Sequence, residues 1–127
     1  MLYLDTSALV KLVFAEAESA ALDRIVAAKE VAASALSRVE LRRVAMRADP
    51  RQMGACEDLL ASCFEVSLTP ALLEHAGGVE PASLRSFDAI HLASALVLGD
   101  ELESFVAYDG RLLAAAQDLE FTTRSPR

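Results

Sequence analysis

Residues 2–14 read LYLDTSALVKLVF. A short apolar run of strand character meets an aspartate, Asp5, and the chain then takes up helical spacing, with Thr6 or Ser7 as the N-cap. The phrase returns at residues 104–118, SFVAYDGRLLAAAQD: a second short apolar strand, a second aspartate, Asp109, and a second helix. Between them EVAAS (30–34) and FEVSL (64–68) read as strands, and EFTT (120–123) reads as an edge strand. Helical sequence fills the intervals at residues 16–29, 35–48, 50–63, 71–78 and about 84–98. Pro50 and Pro70 sit where a first helical turn tolerates proline, and Gly77, Gly78 and Gly99 mark helix ends. Strands that alternate with helices predict an α/β fold, a mostly parallel central sheet of four or five strands with helices on both faces. With no repeat and no linker, residues 1–127 read as one domain whose last few residues fray.

A chain that is 54% hydrophobic can fill a core, which excludes a disordered protein. No run reaches the ~18 apolar residues of a membrane span. The opening apolar run meets Asp5 at once and lacks the basic start of a signal segment. A cytoplasmic protein with no membrane partner is expected. Cys56 and Cys63, seven residues apart, share a helix face and read as packed thiols in a reducing compartment, not as a metal knuckle. The net charge of −7, from 19 acids against 12 bases, argues against nucleic acid at first sight, because phosphates select Lys and Arg. Acids gathered around a divalent cation are neutralised locally, however, and then the total says little about the binding face.

In an open parallel sheet ligands collect at the carboxyl ends of the strands. Asp5 follows the first strand and Asp109 follows SFVAY, so both emerge at that edge. Glu40 lies about two turns into the helix after EVAAS, which starts from the same edge. Asp88 opens SFDAIHLASALVLGD (86–100), an otherwise apolar helix that must run back across the sheet to feed SFVAY. A carboxylate in such surroundings is costly unless something pairs with it. Asp5, Glu40, Asp88 and Asp109 are therefore expected to converge. Four carboxylates raise one another's pKa unless a hard cation such as Mg²⁺ or Mn²⁺ sits among them, and such ions take oxygen ligands.

LDTSALVKL, SRVEL, FDAIHLASA and FVAYDGRLLAAA, in this order and spacing over nearly the whole chain, resemble the PIN-domain proteins, and more narrowly the VapC-type toxins of type II toxin–antitoxin pairs. The resemblance implies a Mg²⁺- or Mn²⁺-dependent endoribonuclease whose four acids are Asp5, Glu40, Asp88 and Asp109, as both metal ligands and catalytic residues. It also implies an RNA substrate, a small antitoxin that blocks the site, and a homodimer. Gly110 departs from the pattern, since a larger and often basic residue frequently follows the last aspartate there. Such a departure loosens that loop.

A bound metal acidifies water and stabilises charge on a phosphate under in-line attack. Asp5 and Asp109 are the expected direct ligands, with Glu40 and Asp88 acting through water or a second ion. Thr6 and Ser7 either cap the helix or hold Asp5 or a bound water, Ser7 being favoured by the resemblance. His91 is a general acid, an RNA contact, or a structural histidine satisfied by Asp88 or backbone. Arg43 and Arg47 lie nearest the face of Glu40 on its helix, where they reach substrate or simply face solvent, and Lys11 carries the same ambiguity. Apolar surface on the first two helices invites a partner. The alternative function is a non-catalytic α/β module that binds RNA or protein and keeps its acids for a structural ion.

Overall fold

The computed structural model describes all residues, 1–127. Five strands, β1 (Leu2–Leu4), β2 (Val31–Ser34), β3 (Phe64–Val66), β4 (Ser104–Val106) and β5 (Thr123–Arg124), form one sheet in the order β3-β2-β1-β4-β5. Every pairing is parallel, so the sheet is wholly rather than mostly parallel. Strand residues alternate between two cores, as the pleat requires. Leu2, Leu4, Ala33 and Val106 enter one core, and Tyr3, Ala32 and Phe105 enter the other. The first is covered by α1 (Thr6–Val13), α2 (Ser19–Val26), α3 (Ser37–Ala48) and α4 (Met53–Ser62). The second is covered by α5 (Pro70–Gly77), α6 (Ser86–Val97) and α7 (Gly110–Asp118). This is the α/β architecture expected from the alternation of strands and helices.

Element ends differ from the sequence expectation for local reasons. Asp5 itself, in extended backbone at φ −72° and ψ 173°, is the N-cap of α1, which releases Thr6 and Ser7 for other bonds. The second helix begins only at Ser19, because the Ser19 hydroxyl accepts from the Glu16 N–H at 2.9 Å and donates to the Lys11 carbonyl at 2.7 Å, holding a turn instead. Asp49 is extended and Pro50 opens a single 3-10 turn (Pro50–Gln52) ahead of α4. Gly99 ends α6 in the left-handed region at φ 53°, a conformation that suits glycine. Glu120, also left-handed at φ 65°, turns the chain after α7 and moves the last strand to Thr123–Arg124. At the carboxyl end of the chain the Tyr108 hydroxyl donates to the Pro126 carbonyl at 3.0 Å. Both cysteines are free, and Cys56 is buried in the α1–α4 core.

The chain lays β2 and β3 to one side of β1, then crosses over to lay β4 and β5 on the other. The β1–β4 seam is thus the switch point, where an open parallel sheet leaves a crevice at its carboxyl edge. Phe105 sits under that seam, fully buried and stacked 5.3 Å from Tyr3 and 6.0 Å from Phe121. Phe105→Ala is expected to lose about 3–5 kcal/mol in denaturant unfolding.

Candidate active site

Because all strands run one way, the ends of β1, β2 and β4 share one edge. The Asp5 N–H donates to the Val106 carbonyl at 3.1 Å, which ties the end of β1 to the end of β4. Asp109 caps α7, its Oδ1 accepting from the N–H groups of Arg111 at 2.9 Å and Leu112 at 3.0 Å. Glu40 falls in the first turn of α3, not the second, since that helix starts at Ser37 rather than directly after β2. Asp88 lies in the first turn of α6. Four distant segments therefore deliver their carboxylates to one cavity of about 210 Å³. Asp5, Thr6, Ser7, Glu40, Arg85, Asp88, His91 and Asp109 line it, with no hydrophobic side chain among them.

Small polar groups hold the acids in place. The Ser7 hydroxyl donates to Asp5 Oδ1 at 2.7 Å, and the Ala8 N–H donates to the same oxygen at 3.0 Å. Asp5 and Asp109 thus each commit Oδ1 to the protein and keep Oδ2 without a protein donor. The Thr6 hydroxyl donates to Glu40 Oε1 at 2.7 Å and meets the Ser37 hydroxyl at 3.0 Å. His91 Nε2 lies 2.8 Å from Glu40 Oε1, and its Nδ1 lies 2.7 Å from the Tyr3 hydroxyl. A neutral imidazole protonated on Nε2 satisfies both contacts, donating to Glu40 and accepting from Tyr3. His91 is therefore satisfied by Glu40 and Tyr3, and not by Asp88 as the one-turn spacing suggested. Three residues advance a helix by about 300°, which turns His91 inward to β1 while Asp88 stays at the rim.

The electrostatics follow from this packing. Asp5 is only 5% exposed, and burial raises its pKa despite the Ser7 bond, with the Asp88 charge adding to the rise. Burial and the neighbouring Asp109 charge raise Asp88 as well. Burial opposes ionisation of Glu40 too, but the bonds from His91 and Thr6 outweigh it and hold the carboxyl below its ordinary range. Burial pushes the Tyr3 phenol well above its usual value, which keeps it a donor. No three acids, histidines or cysteines stand close enough to close around one ion as they are placed. The donor set fits a hydrated hard cation all the same, because Mg²⁺ keeps several waters and uses one or two carboxylates. Asp5 and Asp109, each with one oxygen free of protein donors, are the carboxylates of that cavity that could serve.

Other singled-out residues lie elsewhere. Arg43 and Arg47 line a neighbouring groove with Thr6, Ser7 and Glu40 rather than the carboxylate cavity. Lys11 pairs with Glu16 at 2.5 Å and Glu18 at 3.1 Å. Gly110 opens α7 on the Asp109 cap, so the turn is held, and a Cβ there would meet nothing within 4 Å. Tyr3, Ser37 and Arg85 went unmarked in the sequence. Strand alternation could have found Tyr3, a hydroxyl facing away from Leu2 and Leu4. One-turn spacing could have found the other two, since Ser37 precedes Glu40 and Arg85 precedes Asp88 by three residues.

His91→Ala strands the buried Tyr3 hydroxyl and is expected to cost about 1–3 kcal/mol from that group alone. A Tyr3→Phe/His91→Ala cycle in denaturant unfolding should show a coupling of about 0.5–3 kcal/mol. Asp5 gives a pH signature. Between the ordinary aspartate value of 3.8 and its raised folded value, the folded protein binds more protons than the unfolded chain. Stability from this group therefore falls as pH rises through that window and stays lower at neutrality. Asp5→Asn keeps an oxygen for the cap. In chelator it should melt a few degrees above the parent at pH 7, and the gap should narrow near pH 4.

The family model of the PIN domain matches residues 2–118. The chain is 42% identical over 132 residues to Ribonuclease VapC47 of Mycobacterium tuberculosis (strain CDC 1551 / Oshkosh), spanning 99% of this chain and 97% of that one. It is 37% identical over 126 residues to Ribonuclease VapC46 of strain ATCC 25618 / H37Rv, spanning 98% and 97%. Its fold is similar to that of Mycobacterium tuberculosis VapC20, a sarcin-ricin loop cleaving toxin, with a TM-score of 0.73 at 21% identity over 91% of this chain and 95% of that chain. It is also similar to a chain of a toxin-antitoxin complex from Klebsiella pneumoniae, with a TM-score of 0.77 at 18% identity over 100% and 98%. At those identities the two structures speak for the fold alone. The fold, the full-length match to the domain and relatives at 42% and 37% identity together make this chain a member of the PIN-domain family, among the VapC ribonucleases.

Proposed function

We propose that the protein is a Mg²⁺- or Mn²⁺-dependent endoribonuclease, the toxin of a toxin–antitoxin pair, which hydrolyses RNA phosphodiester bonds in the four-carboxylate cavity. The observation that carries this is the convergence of Asp5, Glu40, Asp88 and Asp109 in a cavity with no hydrophobic lining, at the switch point of the sheet. Membership of the VapC ribonucleases supports the substrate class.

Asp5 and Asp109 would hold the cation, each having one carboxylate oxygen without a protein donor while Oδ1 is fixed by hydrogen bonds. When bound, the cation supplies charge that offsets the crowding of acids and lowers the pKa of coordinated water. Glu40, kept anionic by His91 and Thr6, has Oε2 free to orient a water for attack. Asp88, with its raised pKa, is suited to take up the proton that water gives up on attacking phosphorus. His91, Thr6 and Ser7 act as positioning residues behind these acids.

The antitoxin belongs to the same proposal. Val10, Val39, Val44 and Phe87 line the groove that shares Thr6, Ser7 and Glu40 with the cavity, and Val39 and Phe87 are 62% and 56% exposed. An apolar antitoxin segment seated there could place a basic side chain among the acids. The partner surface is thus on α3 and the start of α6. Of the first two helices, expected to carry it, α1 contributes Val10 to this groove, while Leu9 and Leu22 are buried in the core. The proposed homodimer would use exposed apolar side chains outside that groove, among them Phe64, Leu73 and Val97. No helix is long and apolar enough to cross a membrane, and a cytoplasmic location is proposed with the RNA substrate.

Purified protein incubated with RNA is expected to cut it in Mg²⁺ or Mn²⁺ and not in chelator. Asp5→Asn and Asp109→Asn should each lower the rate by roughly 100-fold or more, the scale seen when one group that stabilises transition-state charge is removed. Binding without cutting in every metal would favour the non-catalytic module. In calorimetry Asp5→Asn should weaken Mg²⁺ binding more than Glu40→Gln, and equal losses would remove the distinction between direct and indirect ligands.

A further inference from the structure

The protein has 12 basic side chains, and seven of them have a carboxylate oxygen within salt-bridge reach: Lys11, Lys29, Arg38, Arg42, Arg51, Arg124 and Arg127. The five without one are Arg24, Arg43, Arg47, Arg85 and Arg111. In a chain with 19 acids, an arginine left unpaired is informative. Four of these five stand around the carboxylate cavity. Arg43 and Arg47 line the groove on the Glu40 side. Arg85 and Arg111 line a second groove of about 270 Å³ on the other side, which shares Arg85, Asp88 and Asp109 with the cavity and ends at Asp118. The three hollows are continuous through shared residues, and the acids lie in the middle.

We infer that Arg85 and Arg111 are substrate-binding residues that hold the RNA backbone in the Asp88–Asp109 groove, so that the strand crosses the cavity with an arginine pair on each side of the bond to be cut. This rests on the proposed nuclease function for the identity of the ligand. The chemistry selects phosphate. A planar guanidinium offers a fork of donors that matches phosphate oxygens, and it stays charged at any working pH. Both side chains are exposed and make no hydrogen bond through the guanidinium, so no rearrangement precedes contact. Neither lies on the face of Glu40, and Arg85 enters the carboxylate cavity itself. Backbone contacts position a strand without reading its sequence, so these arginines set affinity and register rather than base preference.

The test measures binding of a short labelled single-stranded RNA by fluorescence anisotropy over a salt series, in Ca²⁺ and again in chelator. Arg85→Ala and Arg111→Ala should each weaken binding several-fold. Each should also flatten the slope of log affinity against log salt by about 0.7, the value for one lost contact to a single strand. Arg85→Lys and Arg111→Lys should keep the slope, and Arg24→Ala, away from all three hollows, should match the parent. Circular dichroism of each variant confirms that the fold is intact. An unchanged slope in the Arg85→Ala/Arg111→Ala double variant overturns the inference, and so does absence of RNA binding by the parent in both media. So does a double variant that loses affinity for an antitoxin peptide while its RNA slope stays put. A parent that binds RNA with the expected slopes yet cuts in no metal defeats the nuclease proposal and leaves the arginine assignment standing. A parent that cuts RNA while the slopes do not move does the reverse.

Discussion

The direct pairing of β1 with β4 is the constraint on which the site depends. Leu2 pairs with Ser104, Tyr3 with Phe105 and Leu4 with Val106, so the two strands end level with each other. Asp5 leaves β1 directly and Asp109 follows β4 after Ala107 and Tyr108, so both reach the cavity at this edge, and one backbone bond from the Asp5 N–H to Val106 ties the two strand ends. A one-residue slip would turn Tyr3 into the opposite core and withdraw its hydroxyl from His91. The placement of two acids and the support of a third, Glu40, therefore share one register.

Holding four carboxylates together works against folding, and the molecule distributes the strain unevenly. Asp5 and Asp109 each surrender one oxygen to the N-terminus of the helix they cap, where backbone N–H groups and the helix dipole favour negative charge. Glu40 is stabilised by a buried chain of polar groups running through His91 to Tyr3. Asp88 caps no helix and accepts no protein hydrogen bond; burial and the Asp109 charge raise its pKa more than the nearby Arg85 charge lowers it. Differences in support, more than differences in residue type, separate the acids chemically. Such a divergence of environments is what the division of roles proposed above rests on.

The charge of the whole chain also acquires a local meaning. Acidic residues outnumber basic ones, yet most basic side chains are spent on surface ion pairs such as Lys29–Glu103 at 2.9 Å. Exposed pairs of this kind add little stability. Their consequence is that four of the five unpaired arginines stand out as a group, gathered along hollows that meet at the acids. A net charge of −7 therefore coexists with unpaired guanidinium groups on the hollows beside the acids.

The alternation of strand and helix, and the acids that follow the first and fourth strands, are local properties, and the sequence alone determined them. Apolar runs, prolines and glycines act within a few residues, so the α/β class and the carboxyl-edge logic were legible without coordinates, as was the meeting of four acids in one cavity. Helix onsets were less so, because a side chain near the start competes with its neighbours for backbone groups: Asp5 displaced Thr6 and Ser7 as the cap of α1, and the Ser34 hydroxyl accepts from the Leu36 N–H ahead of α3, which starts at Ser37 with Glu40 in its first turn. The partners of His91 were beyond the sequence, because Tyr3 lies 88 residues away and Glu40 51, and only β-strand register and helix rotation bring them together. The grouping of Arg85 and Arg111 was hidden for the same reason. Which arginines are paired is settled by what the fold sets beside each one, a relation between surfaces that no stretch of chain contains.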